Sequence, residues 1–199
     1  NAWCVLSAVV FAPLPDAVYW ATLIIDFEVY DFWGSSDAGE LFAVVMIVPL
    51  YIMVTCCMLM FICLLKWLLI GRWRAGDRPY YTWFHFRWAS LMVAFASLDD
   101  LLESIAGTWL AVLFMRCMGA TVGKNVCFFG HGFEYDLLHI EDEVCIGPDC
   151  DVTAHTVENM VMRMEQVRFE RGASCLTGSV VMPGGTMEPG STLIEHSQV

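Results

Sequence analysis

A six-residue repeat near the end of the chain most restricts what this sequence can fold into. Apolar residues recur at every sixth position, at Phe169, Cys175, Val181, Met187 and Leu193. Small residues follow the first four of them by four positions, at Ala173, Ser179, Gly185 and Ser191. An α-helix repeats at about 3.6 residues and a half-buried strand at about 2, so neither produces this spacing. The period is typical of a parallel β-helix, in which short strands alternate with tight corners.

The same period extends upstream and is interrupted once. Apolar residues lie on one six-residue grid at Val122, Phe128, Ile140, Ile146 and Val152, on which Glu134 is the polar exception. The step from Val152 to Phe169 is 17 residues, one short of three repeats, and it predicts a loop leaving the coil over 155–167. We expect Val181 to be buried inside the coil and Gly184 to occupy a corner, where glycine tolerates unusual backbone angles.

The N-terminal part of the chain is apolar enough to enter a membrane. Hydrophobic residues make up 58% of the sequence, which is high for a soluble domain. Two segments, 2–25 and 41–70, have the length of a transmembrane helix. Lys66 is the charged residue of the second segment and lies near its end, where a long side chain can reach the interface.

Charges around the second segment predict its orientation. The preceding loop, 26–40, carries five acidic residues and no basic one, whereas Arg72, Arg74 and Arg78 follow the segment. The positive-inside rule therefore places the repeats on the cytoplasmic side or its organellar equivalent. The net charge is −12, and five of the ten basic residues lie between Lys66 and Arg87. Without another basic stripe, no nucleic-acid partner is expected.

The composition of segment 79–118 predicts a connector at the membrane surface. Its first part is rich in aromatic residues, and the carboxylates Asp99, Asp100 and Glu103 interrupt its apolar runs. Such carboxylates are costly inside a lipid-facing span, so we predict interfacial or re-entrant helices. The full prediction is a transmembrane region (1–78), this connector, and a parallel β-helix (119–199) that is truncated at its C-terminus, as expected of part of a longer protein.

The cysteines and histidines give no pattern of a metal site. Nine cysteines include no C-x-x-C pair, and we interpret them as small buried hydrophobic residues in a reducing compartment. His131, His139 and His155 are spaced by eight and sixteen residues. This spacing does not fit a zinc site of the kind expected in this fold, so no metal is predicted.

Several short segments carry a resemblance to a known family. Taken in order with the spans and the interrupted repeat, they resemble the membrane-bound C-terminal domain of nonribosomal-peptide-synthetase-like proteins of the ε-poly-lysine-synthetase type. The segments are Gly71-Arg72, Phe86-Arg87-Trp88, Gly107-Thr108, Arg116, the run 119–126, Asp136-Leu137-Leu138, Ala154-His155 and the run 161–164. The resemblance implies a left-handed β-helix and an activity that joins aminoacyl units carried as thioesters on an upstream module.

A candidate catalytic group lies where the coil is interrupted. The hexapeptide acyltransferases that this chain resembles use a loop histidine as the general base, which implies this role for His155. Histidine suits the task because its pKa lies near neutrality, and Glu158 and Glu165 are close enough in sequence to orient it. No covalently bound cofactor is expected. The implied donor is a thioester of coenzyme A or of carrier-protein phosphopantetheine, and no cofactor-binding residues are assigned.

The sequence leaves two classes of function open. The first is an integral-membrane acyl or aminoacyl transferase. The second is a catalytically silent subunit that anchors a larger membrane complex, respiratory or photosynthetic. Both imply a lipid bilayer as partner, together with other membrane subunits or with further copies of the same β-helix in a trimer or pseudo-trimer.

Overall fold

The computed structural model describes residues 24, 28, 37–96 and 98–199. Four α-helices lie in the continuous stretches: α1 (Asp37–Leu69), α2 (Trp83–Ala96), α3 (Asp99–Ile105) and α4 (Trp109–Met118). Helix α3 begins with the acidic residues Asp99 and Asp100. Negative charges are favourable there because the N-terminus is the positive end of the helix dipole. Contacts divide the chain into two compact units, and the unit formed by Lys66–Trp88 and Asp100–Val199 contains every strand described below.

Helix α1 contains a segment suited to a membrane. Pro49–Leu69 is 21 residues long with a mean hydropathy of 2.4, and within the described stretches it alone is long and apolar enough to cross a bilayer. The predicted first span, 2–25, lies outside the described residues apart from Ile24. The side of the membrane on which the strands lie therefore stays a prediction.

Fourteen short strands are described, of which the first precedes helix α2 and the other thirteen follow helix α4. In chain order they are β1 (Gly76–Pro79), β2 (Thr121–Val122), β3 (Cys127–Phe128), β4 (His131–Gly132), β5 (Leu138–Ile140), β6 (Cys145–Ile146), β7 (Asp151–Val152), β8 (His155–Glu158), β9 (Val161–Met164), β10 (Val167–Phe169), β11 (Ser174–Cys175), β12 (Val180–Val181), β13 (Thr186–Met187) and β14 (Thr192–Leu193). A single turn of 3₁₀-helix, Tyr135–Leu137, precedes β5.

Three of the sheets are parallel, and consecutive strands visit them in rotation. Their strand orders are β13-β10-β5-β2, β14-β11-β6-β3 and β12-β7-β4. Thr121 lies opposite His139, and Ser174 lies opposite Thr192, 18 positions later in each case. The offset grows to 29 positions where Leu138 lies opposite Val167, because the hairpin β8–β9 is inserted there. Parallel sheets arranged in this way fit a β-helix-like fold.

The core of this region is made of the apolar residues that the period predicts to point inward. They are buried at Val122, Phe128, Ile140, Ile146, Val152, Phe169, Cys175, Val181 and Met187. The burial of Val181 confirms its predicted place. Gly184 has a φ of +81°, a left-handed conformation that favours glycine and agrees with its predicted position at a corner.

The predicted fold of two transmembrane helices and one left-handed β-helix is wrong. The described residues form four helices with one candidate span, and their strands belong to four separate sheets. The fourth sheet is antiparallel, in the order β1-β9-β8, and includes β1 from the end of the predicted transmembrane region. The error arose because the repeat was read as one continuous coil with a loop, whereas the chain builds an independent antiparallel sheet at the interruption.

Candidate functional site

A buried carboxylate marks the centre of the candidate site. Glu134 follows strand β4, and its side chain is only 1% exposed. Trp88 Nε1–H donates a hydrogen bond to Glu134 Oε1 (2.9 Å), and the same oxygen lies 2.8 Å from His155 Nδ1. An ionised carboxylate is costly to bury without donors or a positive charge, so this pair of neighbours explains how Glu134 is accommodated.

His155 is held by the strand that begins with it. Its backbone is paired with Met164 in the antiparallel hairpin, and the Trp88 ring packs edge-on against the imidazole at 5.0 Å. The imidazole remains 21% exposed while Nδ1 faces Glu134. Nδ1 lies within ion-pair distance of Glu134 Oε1 but is not aligned with it for a hydrogen bond. We call this close carboxylate–histidine pair the dyad.

The hairpin that presents His155 is tightly turned. Strands β8 and β9 are joined by Asn159 and Met160, whose φ angles of 49° and 63° are both positive. Positive φ at both central residues is characteristic of the type I′ turn that suits the twist of a two-residue hairpin. Strand β1 pairs with the other edge of β9, Asp77 lying opposite Arg163, so β9 is paired on both edges and β8 is an edge strand of this sheet.

The two carboxylates predicted to orient His155 lie elsewhere on the hairpin. Glu158 is exposed, and its Oε2 lies 3.7 Å from Arg163 Nη1. Glu165 is also exposed, its backbone N–H donates to Ala154 O (2.9 Å), and its carboxylate lies beside Gly184. The structure brings His155 together with Glu134 and not with either predicted partner.

Aromatic rings pack around Trp88, which itself contacts the dyad. We call His85, Tyr80, Phe133 and Trp88 together the aromatic wall. The His85 ring is stacked on Trp88 at 5.7 Å and lies 3.8 Å from the Tyr80 ring. Phe133 contacts Trp88 from another side at 6.0 Å. Burial lowers the pKa of His85 below its usual value of 6.5, so His85 favours the neutral form. The aromatic wall therefore adjoins the dyad through Trp88, and the lowered pKa of His85 disfavours a positive charge next to Trp88.

A second buried carboxylate lies two positions after Glu134. Asp136 Oδ2 is 2.6 Å from Lys66 Nζ, with the two side chains 4% and 1% exposed, and it accepts a hydrogen bond from the Trp73 backbone N–H (3.1 Å). Gly119 lies so close that any Cβ there would collide with Oδ1. The prediction that Lys66 reaches the membrane interface is wrong, because its ammonium group is fully buried against Asp136.

Comparison with known proteins gives one distant relationship. No protein-family model matches the chain. Over 124 residues it is 26% identical to the delta-poly-L-ornithine synthetase of Acinetobacter baumannii (strain AB307-0294), which is 61% of this chain and 9% of that protein. The chain thus spans about a tenth of the relative it matches. The similarity links this chain weakly to synthetases and supports a transferase-like function in general terms.

A signal for Glu134 was present in the sequence. It is the polar residue on an otherwise apolar six-residue grid. In the structure Gly132, not Glu134, lies opposite Val152, so the third sheet takes the glycine as its strand residue. Glu134 is displaced into the corner before the 3₁₀ turn, where its side chain reaches Trp88 and His155.

Two further histidines lie on the outer faces of strands. His131 on β4 and His139 on β5 are exposed. Within residues 37–96 and 98–199, no group of three or more His, Cys, Asp or Glu side chains is arranged to hold a metal ion.

Proposed function

We propose that this chain is part of a membrane-bound acyl or aminoacyl transferase in which His155 is the general base and Glu134 orients it. The observation that carries the proposal is the 2.8 Å approach of His155 Nδ1 to a carboxylate that is only 1% exposed. A general base must be fixed in one tautomer and must be reachable by the acceptor. The buried Glu134 meets the first requirement, and the partial exposure of the imidazole meets the second.

The proposed reaction transfers an acyl group from a thioester to an amine. The amine nitrogen attacks the thioester carbonyl while His155 Nε2 takes the proton that the nitrogen loses. The tetrahedral intermediate then collapses, the carbon–sulfur bond breaks, and the imidazolium returns its proton to the departing thiolate. Glu134 stabilises the imidazolium between these steps because its negative charge lies beside Nδ1.

Trp88 has a positioning role in this proposal. Its indole N–H fixes one carboxylate oxygen of Glu134, and its ring packs against His155. Both members of the dyad therefore depend on one side chain from helix α2. The donor, a thioester of coenzyme A or of carrier-protein phosphopantetheine, and the amine acceptor are proposals that rest on the family resemblance and on the synthetase relative.

The test measures acceptor-dependent thiol release. The purified chain, in detergent or in lipid vesicles, is mixed with an aminoacyl thioester of coenzyme A or phosphopantetheine and with an amine acceptor. We expect His155→Gln to lower the rate by about 10²- to 10⁴-fold. Glu134→Gln should lower it less, since the imidazole itself remains. His131→Gln, which changes an exposed histidine on β4, is the matched control and should retain the full rate.

The competing hypothesis is a silent subunit in which the same contacts only hold the hairpin in place. It predicts no acceptor-dependent thiol release from the wild-type chain, or equal rates for wild type and His155→Gln. Either result contradicts the transferase proposal. Circular dichroism and gel filtration of each variant separate a loss of activity from a loss of folding.

A further inference from the structure

Two cysteines face each other on neighbouring strands of one parallel sheet. Cys127 on β3 lies opposite Cys145 on β6. The residue after each, Phe128 and Ile146, is buried, so both cysteines lie on the outward side of the same sheet. Cys145 is exposed and Cys127 is half-buried.

The separation of the two strands suits a disulfide. Neighbouring strands lie about 4.7–4.9 Å apart, and the Cα atoms of a disulfide are usually about 4.4–6.8 Å apart. Both residues also project to the same side, so the two sulfur atoms can meet without a change in strand register. Ser174 is the next residue in this row, opposite Cys145, and it shows that serine is accommodated on this face.

The buried cysteines of the same region differ from this pair. Cys150 Sγ lies 3.0 Å from Leu176 O and 3.3 Å from Ser179 Oγ. Burial, with the neighbouring Cys150 thiol, raises the pKa of Cys175 to about 11. Since the thiolate is the reactive form, Cys175 is protected by its surroundings. The prediction of small buried hydrophobic residues holds for Cys150 and Cys175 and is wrong for four exposed cysteines, Cys56, Cys57, Cys117 and Cys145.

We propose that Cys127 and Cys145 form a reversible redox site that closes to a disulfide in the presence of a low-molecular-weight disulfide. The exposed Cys145 thiolate attacks one sulfur of that oxidant and releases one thiolate. Cys127 then gives up its proton to water and attacks the Cys145 sulfur, releasing a second thiolate. Two protein thiols are oxidised and one external disulfide is reduced to two thiols.

The order of attack follows from the surroundings of the two thiols. Burial raises the pKa of Cys127, and the adjacent Cys145 raises it further. Cys145 is therefore the better initial nucleophile, and Cys127 is the resolving thiol. This site is independent of the His155–Glu134 dyad and of the proposed transferase activity.

The experiment equilibrates the reduced, detergent-solubilised chain with mixtures of glutathione and glutathione disulfide. The samples are then quenched with acid, their free thiols are labelled under denaturing conditions, and the chain is cleaved after glutamate. Glu134 lies between the two cysteines, so this cleavage places them on separate peptides. We expect the labels on Cys127 and Cys145 to disappear together and a cross-linked peptide pair to appear. In Cys127→Ser, Cys145 should need a ratio of oxidised to reduced glutathione about tenfold higher to lose its label.

Cys117→Ser is the matched control, since Cys117 is an exposed cysteine on helix α4, and it should leave the paired loss unchanged. Separate glutathione adducts on Cys127 and Cys145 without a cross-link would overturn the proposal. So would a Cys145 label that responds equally in the wild type and in Cys127→Ser. Circular dichroism of both serine variants verifies that the sheets remain folded.

Discussion

The surroundings of Glu134 and of Asp136 offer a comparison between two buried carboxylates only two positions apart. Asp136 is paired with Lys66, whose side chain is 1% exposed. Glu134 is paired with His155, whose side chain is 21% exposed. Lysine ordinarily stays charged throughout the physiological range, whereas a histidine can gain or lose its proton within it. One carboxylate thus has a buried ammonium group as its partner, and the other has a partly exposed imidazole.

This difference separates structural burial from burial that suits chemistry. The Lys66–Asp136 pair joins the end of helix α1 to the 3₁₀ turn, and deprotonating Lys66 or protonating Asp136 would leave the other group as an uncompensated buried charge. Each carboxylate also accepts one N–H donor, from Trp73 at Asp136 and from Trp88 at Glu134. The two sites differ in that the imidazole of His155 can be reached by solvent and the ammonium group of Lys66 cannot.

The largest effect on stability is expected from removing Lys66, the buried partner of Asp136. Lys66→Met leaves Asp136 buried with the Trp73 backbone N–H as its remaining partner among the contacts described above. Breaking a buried ion pair in this way costs about 3–5 kcal/mol, so the free energy of unfolding in mild detergent should fall by this amount. Adding Asp136→Asn removes the uncompensated charge and should restore part of the loss. Stability unchanged in Lys66→Met would show that this pair does not anchor the helix.

A smaller effect is expected at the dyad. Glu134→Gln removes the negative charge beside His155 but keeps an oxygen that can accept the Trp88 hydrogen bond. Changing one partner in a buried hydrogen-bonded site costs about 1–3 kcal/mol, and urea unfolding followed by tryptophan fluorescence measures it. A cost as large as that of Lys66→Met would contradict the distinction between the two carboxylates.

His85 provides a test of the aromatic wall through pH. Burial lowers its pKa below 6.5. Below pH 6.5 the His85 imidazole is therefore protonated more readily in the unfolded chain than in the folded chain. The contribution of His85 to the stability is unaffected above pH 6.5 and decreases as the pH falls toward the lowered pKa. His85→Phe keeps an aromatic ring in the stack with Tyr80 and Trp88 and should flatten this part of the curve. An identical acid slope in both proteins would show that His85 is not buried as described.

Local periodicity predicted most strands of the three parallel sheets and most of the residues in their core. Val181 and Gly184 have the burial and the backbone angle that the six-residue spacing implies. The hairpin at the interruption was predicted as a loop because its turn residues, Asn159 and Met160, lack the glycine that usually marks a type I′ turn. Spacing also could not detect the two-position shift that puts Gly132, and not Glu134, opposite Val152.

The partners of the buried charges could not be predicted from neighbours in the sequence. Trp88 and Glu134 are 46 positions apart, and Lys66 meets Asp136 only after the strands have folded. Proximity in the sequence therefore predicts that Glu158 and Glu165 orient His155 and that Lys66 reaches the membrane interface. His155 itself was recognisable, because it lies where the regular period ends.

The smallest effect is expected at an exposed ion pair, which serves as the reference for both buried carboxylates. Arg171 Nη2 lies 3.2 Å from Asp142 Oδ2, and the side chains are 66% and 35% exposed. The pKa of Asp142 is lowered below 3.8 chiefly by the hydrogen bond from the Lys124 backbone N–H, and only then by Arg171. Exposed pairs contribute little to stability because water and salt screen them.

Arg171→Ala should therefore leave the unfolding midpoint at neutral pH unchanged within error, and added salt should not distinguish it from the wild type. The stabilising effect of the lowered Asp142 pKa is present above pH 3.8 and disappears as the pH falls through the folded value. This acid response should survive in Arg171→Ala, because the backbone donor remains, and should be lost in Asp142→Asn. A destabilisation by Arg171→Ala equal to that of Lys66→Met would mean that burial is not what separates these ion pairs.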